Sequence, residues 1–459
     1  MIPVSKSQSL GPSRAKWSSP WAFILATTGS AVGLGNIWKF PYIAGEHGGG
    51  AFILVYLICI LLLGLPVMLA EMLIGRRGKS SPVGSLSVVA REAGSSPLWK
   101  GVGMLAVTTG FLILTFYIVV SGWAFSYIQT AASGTFTGAT AQQIDGIYQV
   151  LLSDPIRLAC WSAVVIFATM FIVNRGVEKG IEKASYILMP GLFVILLILV
   201  GYAMTTGHFT EAVRFMFFPD FQKLSVDSVL MALGQAFFSL SLGSAATMVY
   251  GSYMPQHISI GKTALWVAGM DTLVALLAGL AIFPLVIAYD LHAGSGPGLI
   301  FVTLPLAFGQ MPFGTFIGTL FFIMLTFATL TSTIALLEPS ISWLTERLRI
   351  SRFQACAAAG LVVWVLSLGT VFSFNIWADK TVFGKTFFEL LDYITSAWML
   401  PLGSLLVALF CGWVMARAVS ASELNLSQRA YVLWRVSIRY VAPVAILMIF
   451  LNAIGLNPF

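Results

Sequence analysis

The chain has 459 residues, of which 58% are hydrophobic and only 9% are charged. A soluble domain carries about 25% charged residues, so this composition excludes an ordinary soluble protein and indicates an integral membrane protein. The net charge of +7 comes from basic loops on one side of the membrane, and a nucleic-acid partner is therefore not expected.

Eleven apolar runs are long enough to cross a bilayer, which requires about 20 residues in a helix. Each run is predicted to be helical, because lipid cannot pair the open edge of a sheet. The predicted spans, in chain order, are residues 20–44, 51–74, 101–131, 157–173, 181–203, 228–253, 262–289, 313–345, 354–373, 386–414 and 436–456. Residues 1–16 precede them as a polar, basic tail.

The distribution of Lys and Arg between the loops gives the orientation. Nineteen of the 25 basic residues lie in the N-terminal tail or in loops on the same side. Cytoplasmic loops are rich in basic residues, so the tail is predicted to be cytoplasmic, and eleven spans then place the C-terminus outside. The expected location is the cell (inner) membrane, without a removable signal peptide. The four cysteines lie inside apolar spans and are expected to be free thiols.

The first span is interrupted at residues 29–36, which contain three glycines and an asparagine. Glycine costs about 1 kcal/mol relative to alanine inside a helix, so this segment is a poor helix. Unwound backbone at this depth needs protein or water to receive its polar groups. Its carbonyls can then hold a cation, and its N–H groups can hold a carboxylate. For this segment alone, a glycine-rich packing surface is the alternative.

The sixth span carries a second concentration of Gly and Ser, at residues 234–246, centred between Ser239 and Ser244. Spans one and six would open the two halves of a five-plus-five arrangement. Interrupted helices at matching positions of two repeats are the best sequence indication of a transporter site at the middle of the membrane. The two breaks together therefore favour a binding site over simple helix packing.

Three segments resemble the signature of the neurotransmitter:sodium symporter family. They are residues 29–42 (GSAVGLGNIWKFPY) with 46–52 (EHGGGAF), residues 237–243 (FFSLSLG) and residues 328–333 (ATLTST), and the likeness extends from about Arg14 to about Gly455. The resemblance implies an all-α integral membrane protein with a LeuT-like fold, in which helices 1 and 6 are unwound at mid-membrane. Two inverted five-helix repeats (about 17–203 and 228–414) and an eleventh helix (about 436–456) would form one transporter domain, residues 17–459. Such a domain takes up amino acids with sodium by alternating access.

The family's two sodium sites map onto the two breaks. A sodium ion is bound by several oxygens from carbonyls, amides and hydroxyls. The resemblance places the first ion with the substrate carboxylate and with Ala31, Asn36, Ser239 and Asp271. It places the second ion with Gly29, Val32, Ala328, Thr331 and Ser332. Two alternatives stay open: Asp271 could reach water at the end of span seven, and the hydroxyls of Thr331 and Ser332 could bond only to the preceding turn.

The residues around Asp271 bear on the choice of ions. A charge near a helix centre costs about 2.5–3.5 kcal/mol on insertion scales, which favours a ligand role for this carboxylate. Chloride-dependent relatives have a neutral residue at this position and a serine one turn later. That later position is Ala275 in this chain, which has no hydroxyl. The expected cofactors are therefore two Na⁺ ions and no chloride.

The substrate class follows from Gly33. Monoamine-transporting relatives carry Asp at this position, whereas glycine leaves room for an α-carboxylate, held by the N–H groups of Leu34 and Gly35 and by the Tyr117 hydroxyl. The residues expected around the substrate are Gly33, Leu34, Gly35, Ile113, Tyr117, Phe238, Ser239, Ser241, Ser244, Ser332 and Leu336. Ser244 stands where a relative that takes small aliphatic amino acids has phenylalanine, so a large hydrophobic or aromatic amino acid is predicted.

Residues at both ends of the pathway match the family's gates. Lys39 and Asp392 correspond to the outer charge pair, with Lys in place of the more usual Arg, which removes bidentate geometry. The residues that match the inner gate are Arg14, Trp17, Tyr253 and Glu346. Gly180 and Pro190 have the spacing that lets span five unwind in relatives, and a plain proline kink is the alternative.

Three functions compete with sodium symport. A proton-coupled transporter of the same fold would use Asp271 or Glu338 as the proton carrier. A non-transporting amino-acid sensor would need a signalling domain, of which the sequence shows no sign. An enzyme is not expected, because no nucleophile–base pair or metal cluster is recognisable. The expected partners are a small-molecule amino acid and the lipid bilayer, and the protein is expected to be a monomer or weak dimer.

Overall fold

The computed structural model describes residues 15–289 and 296–453, and its spans are helices, as predicted. Nine of the described helices are apolar and long enough to cross a bilayer without interruption. They are Gly50–Gly78, Pro97–Ala132, Pro155–Asn174, Val177–Thr206, Ile260–Ala288, Gly314–Leu348, Arg352–Ser373, Phe387–Val414 and Gln428–Asn452. These are spans two to five and seven to eleven. Spans one and six are broken helices and complete the predicted eleven.

Each broken span is made of separate helical pieces. The pieces of span one are Pro20–Ala31, a π-helical turn Gly35–Lys39, and Phe40–Glu46; those of span six are Val226–Ser239 and Ala246–Ser252. The breaks lie at residues 32–34 and 240–245, inside the two segments where unwinding was predicted. The first break is narrower than residues 29–36, because the Val32 N–H still donates to the Thr28 carbonyl at 2.7 Å and extends the first piece.

Short helices lie between the spans. They are Pro82–Glu92, Ala141–Ser153, Phe209–Phe217, Leu299–Gln310 and Arg417–Leu424. Val382 and Lys385 form an isolated antiparallel bridge. The short helices were not predicted, because an apolar window of membrane-spanning length cannot detect elements this short.

Side-chain oxygens fix where several spans begin. The Ser19 hydroxyl accepts a backbone N–H at the start of span one, and Ser225 forms a reciprocal capping box at the start of span six. Such caps pair N–H groups that the first helical turn leaves free. Span eleven begins at Gln428 rather than at residue 436, because Ser427 caps a polar first turn that hydropathy alone had excluded.

The two breaks lie in the interior, between packed pairs of helices. Span three packs along span eight, and span two packs along the final piece of span six, Ala246–Ser252. In the second pair the backbones touch: a Cβ at Gly75 would overlap the Met248 carbonyl oxygen, and one at Gly251 would lie 2.8 Å from the Met72 carbonyl oxygen. The first piece of span one lies against spans seven and eight. The side of the membrane on which span one begins is called the inner side.

Candidate functional site

The break in span one turns backbone groups toward side chains. Asn36 Oδ1 accepts the Gly33 N–H at 3.1 Å. The Leu34 N–H donates to the hydroxyl oxygen of Tyr117, in span three, at 3.2 Å. A continuous helix would have paired such N–H groups internally. In this break one N–H bonds a side chain of span one itself and the other bonds a side chain of span three, beside the place where a ligand can reach them.

The break in span six is a strained turn. Ser241, Gly243 and Ala245 have positive φ angles of 53°, 78° and 68°, a conformation that costs a non-glycine residue about 1–3 kcal/mol. Glu71 of span two holds the turn, since its carboxyl group accepts the Gly243 N–H at 2.8 Å. A Cβ at Gly243 would lie 2.5 Å from the Leu400 carbonyl oxygen. Both the φ angle and the available space therefore require glycine at position 243.

Asn36, Ser239 and Asp271 form a buried cluster where the two breaks meet span seven. Asn36 Nδ2 donates to Asp271 Oδ1 at 2.8 Å and to Ser239 Oγ at 3.1 Å, and Ser239 Oγ donates to Asp271 Oδ2 at 2.6 Å. Asp271 is fully buried, so the alternative in which it reaches water is wrong. No ion pair of the described residues includes it. A buried carboxyl group with only neutral partners needs a cation or a proton.

A second group of oxygens lies between spans one and eight. The Ser332 hydroxyl is 3.1 Å from both the Val32 and the Ala328 carbonyl oxygens, and Thr331 Oγ1 is 2.9 Å from the Ala328 carbonyl oxygen. Both hydroxyls bond to the preceding turn, but Ser332 also reaches across to span one. Gly29 packs against the same group, since a Cβ there would lie 3.0 Å from the Thr331 side chain.

A cavity of about 40 Å³ lies between the two breaks. Ten of the eleven residues predicted around the substrate line it, and so does Ala31. Ser239 does not, because its hydroxyl is turned toward Asp271. Ser30 and Leu400 complete the wall and were not among the predicted residues. Ser30 lies within the predicted break, so its position was a usable signal, whereas a leucine inside an apolar span gives none.

Two further contacts at the site were not predicted. The Tyr56 hydroxyl of span two donates to Ser239 Oγ at 3.2 Å, and Gln235 Nε2 donates to the Gly35 carbonyl at 2.9 Å. Gln235 lies in the segment that was identified as the second break, and a polar amide at this depth was the available signal. Both contacts hold the walls of the breaks in place.

Comparisons with known proteins agree along almost the whole chain. A profile of the sodium:neurotransmitter symporter family matches residues 14–144 and 152–457. The uncharacterized sodium-dependent transporter YhdH of Bacillus subtilis is 36% identical over 448 residues, covering 97% of this chain and 98% of that protein. The chain belongs to the sodium:neurotransmitter symporter family. The symporter is therefore a sodium-dependent, multi-pass membrane transporter and not an enzyme.

Further relatives of the symporter extend the comparison. A sodium-dependent dopamine transporter of Caenorhabditis elegans is 27% identical over 469 residues, covering 87% of this chain and 72% of that protein. The crystal structure of MhsT in complex with L-phenylalanine matches with a TM-score of 0.88 and 41% identity, over 96% of this chain and 100% of that one. The LeuT-like fold expected from the motifs is thereby confirmed.

The outer residues Lys39 and Asp392 of the symporter line a second cavity, of about 270 Å³, on the outer side of Phe238. No ion pair joins them in the part of the chain that the structure describes. Lys39 Nζ instead lies 4.2 Å from the centroid of the Phe238 ring, a cation–π contact. Asp392 accepts the Ser396 hydroxyl at 2.9 Å. The predicted outer pair is therefore not formed in this conformation, because each partner has another contact.

On the inner side of the symporter, the side chain of Trp17 is buried. The Trp17 backbone N–H donates to the Tyr253 carbonyl at 3.3 Å, and the two rings pack edge to face. Glu346 accepts the Ser81 N–H at 2.8 Å. Arg14, the predicted partner of Glu346, lies outside the described residues. Trp17 and Tyr253 thus meet on the inner side, while Glu346 joins the end of span eight to the helix Pro82–Glu92.

Span five starts with a π-helical segment, Val177–Glu182, that contains Gly180. Pro190 lies within the helix that continues from it. Glu182 accepts the Ser18 backbone N–H at 3.2 Å, which ties the segment to the residues just before span one. The segment is wound in this conformation, and its wide turns already depart from the regular α-helical ladder.

Proposed function

We propose that the symporter takes up large hydrophobic or aromatic amino acids together with two sodium ions and without chloride, with its inner side facing the cytoplasm. The observation that carries the proposal is the buried cluster of Asn36, Ser239 and Asp271 beside the cavity between the breaks. A buried carboxylate without a basic partner attracts a cation. An amino-acid carboxylate in the adjoining cavity would share that cation, which makes ion and substrate binding reciprocal.

Gly33 supports an amino acid over a monoamine. A Cβ at this position would lie 2.7 Å from the Tyr117 hydroxyl oxygen and 2.8 Å from the Ser332 hydroxyl oxygen. An acidic side chain able to pair with an amine therefore has no room there. The Leu34 N–H and the Tyr117 hydroxyl, 3.2 Å apart, are the donors that a substrate carboxylate would engage.

The residues that line the cavity favour a substrate with a large side chain. Ile113, Leu336 and Leu400 are apolar, and Ser244 is small. MhsT, which is 41% identical to this chain, has been crystallised in complex with L-phenylalanine. A substrate of that size would have to enlarge the cavity by displacing flexible side chains such as Phe238, which separates it from the outer cavity.

Coupling follows from where the ions would bind. The first ion would join both breaks to span seven, and the second, between Val32 and Ser332, would join span one to span eight. Ions can drive a conformational change only by binding one conformation more tightly than another. Each positive charge moving inward gains about 2.3 kcal/mol per 100 mV of membrane potential. Ala275, one turn after Asp271, is buried and has no hydroxyl to offer chloride.

A panel of amino acids tests the proposal on the purified protein. Binding is measured in sodium and in choline at equal ionic strength and fixed pH, and again with gluconate replacing chloride. Phenylalanine, tyrosine, tryptophan and leucine are expected to bind only in sodium, with or without chloride. Absence of sodium-dependent binding for every amino acid would overturn the proposed function.

Proton coupling by the same fold is the second candidate, favoured by Asp271 itself. Its carboxyl group is buried among neutral groups, and a proton would satisfy it as a cation does. The same panel separates the two functions. Binding that persists in choline and strengthens on acidification would indicate proton coupling. Binding that requires sodium when the pH is held constant would exclude it.

A further inference from the structure

Four serines line the substrate cavity, and the hydroxyls of Ser30, Ser241 and Ser244 each use their single proton on a backbone carbonyl close by in the breaks or the turn before. Ser30 donates to Thr27 at 2.7 Å, Ser241 donates to the Ser30 carbonyl at 2.9 Å, and Ser244 donates to the Ser241 carbonyl at 2.6 Å. A hydroxyl has one donor and two acceptor lone pairs. These groups therefore offer the cavity acceptors and no donor.

The oxygens of Ser241 and Ser244 have no donor of their own. In the described ranges, no hydrogen bond is donated to either side-chain oxygen, and Ser244 is only 1% exposed. Each oxygen therefore keeps its acceptor lone pairs free. A ligand that brings a donor to this place can bond them.

Ser244 lies in the end of the cavity wall that packs against span three. A Cβ at Gly110 of span three would lie 2.7 Å from the Ser244 carbonyl oxygen and 3.7 Å from a Leu336 methyl group. Span three thus packs directly on the turn. The donors for a substrate carboxylate, the Leu34 N–H and the Tyr117 hydroxyl, meet further along span three. Gly110 and Tyr117 are seven residues apart in that helix, about 10 Å, and the apolar side chain of Ile113 lines the cavity between them.

We infer that this end of the cavity recognises an aromatic side chain with a hydrogen-bond donor at its far edge, a phenol O–H or an indole N–H. Ser244 is the accepting residue, with Ser241 beside it. The inference rests on the proposed function and narrows its substrate class to tyrosine and tryptophan over phenylalanine. A few placed polar groups among apolar lining residues fix the orientation and specificity of a ligand.

Matched pairs of ligands test the inference on the unmodified protein. Tyrosine is compared with phenylalanine, and tryptophan with 3-(3-benzothienyl)alanine, which has sulfur in place of the indole N–H. A site built to bond a substrate group discriminates strongly against the analogue that lacks it. We expect the donor-bearing member of at least one pair to bind at least about tenfold more tightly in sodium.

The variant Ser244→Ala assigns the effect to a residue. Its tyrosine-to-phenylalanine affinity ratio is expected to fall to near one, whatever its absolute affinities. The control is Ser162→Ala in span four, a buried serine that also bonds a carbonyl of the preceding turn, that of Ala159, at 2.9 Å. The control should keep the wild-type ratio, because Ser162 lies outside the cavity.

The outcomes separate this inference from the proposed function. If no amino acid shows sodium-dependent binding, both are overturned. If phenylalanine binds with sodium but neither ligand pair differs in the wild type, only the recognition of a donor is overturned. A folded Ser244→Ala protein that keeps the wild-type ratio would remove Ser244 as the acceptor. The wild-type ligand pairs decide the inference even if this variant does not fold.

Discussion

In span one the break covers three residues, and its N–H groups reach Asn36 and Tyr117. In span six the break covers six residues and contains three positive φ angles. In the first break, side chains of span one and of span three receive the freed N–H groups. The second break is shaped mainly by the positive φ angles of its own backbone, with Glu71 of span two bonding the Gly243 N–H. Substitutions at the first should therefore change ligand affinity, and substitutions at the second should change the fold of the site itself.

The largest effect is expected for Gly243→Ala, because alanine would be strained at φ 78° and would meet the Leu400 carbonyl oxygen at 2.5 Å. We expect loss of sodium-dependent binding and a free energy of unfolding lowered by at least about 1–3 kcal/mol. Thermal unfolding and ligand binding measure the two effects. Gly234→Ala, in the outer half of the same span with no neighbouring atom within 4 Å, is the control. Wild-type behaviour of Gly243→Ala would contradict the strained turn.

Asp271→Asn tests the proposed first sodium site, which lies between the two breaks and span seven. The amide keeps the size of the side chain but removes its negative charge. Loss of one partner from a buried pair of opposite charges, in this case the carboxylate and the sodium ion, costs about 2–5 kcal/mol. The sodium concentration for half-maximal binding should therefore rise roughly thirtyfold or more. Asp145→Asn, at an exposed position of the helix Ala141–Ser153, should leave it unchanged. An unaltered ion profile in Asp271→Asn would exclude the carboxylate as a sodium ligand.

Ser332→Ala tests the contact of the first break with span eight. Removing the hydroxyl that lies 3.1 Å from the Val32 carbonyl should cost about 1 kcal/mol, or roughly fivefold in sodium affinity. A sodium titration of substrate binding measures the change. The matched control is Ser367→Ala in span nine, whose hydroxyl bonds the Trp364 carbonyl of its own helix at 2.6 Å. Equal effects in the two variants would reduce Ser332 to a helix-stabilising residue.

The smallest effect is expected for Trp17→Phe. The Trp17 indole N–H donates to the Tyr250 carbonyl at 3.1 Å and so joins the inner pieces of both broken helices. Its loss, about 1 kcal/mol, should speed hydrogen exchange in Pro20–Ala31 several-fold. Trp21→Phe, which changes an exposed tryptophan of that helix, should leave its hydrogen exchange unchanged. Unchanged exchange in Trp17→Phe would show that ring packing alone closes the inner side.

Much of the fold could be predicted, because apolar length dominates the structure of a chain in lipid. The breaks could be placed because glycine and serine, clustered at mid-membrane, weaken a helix at that point. The extent of the first break could not be predicted, because the backbone conformation, and not the residue types, decides that the Val32 N–H still bonds the Thr28 carbonyl. Leu400 was missed because a leucine in an apolar helix has no distinguishing pattern.

The ion ligands were predicted from the family motifs, and the residues alone left Thr331 and Ser332 ambiguous. The structure shows the reason for the ambiguity, since Ser332 bonds both its own helix and span one. The Lys39 contact could not be predicted either. An ammonium can approach a carboxylate or an aromatic face, and only the tertiary arrangement decides between Asp392 and Phe238.

The backbone contact at Gly75 and Gly251 has a consequence for movement. Packed side chains let two helices slide by changing rotamers, but touching backbones have no such layer between them. The inner piece of span six therefore cannot swing alone, and span two must travel with it. The buried ion pair of Arg76 with Glu423, at 2.6 Å, attaches Arg417–Leu424 to the same body. Opening the inner side would thus also displace the connection between spans ten and eleven, which contributes no residue to the proposed ion and substrate sites.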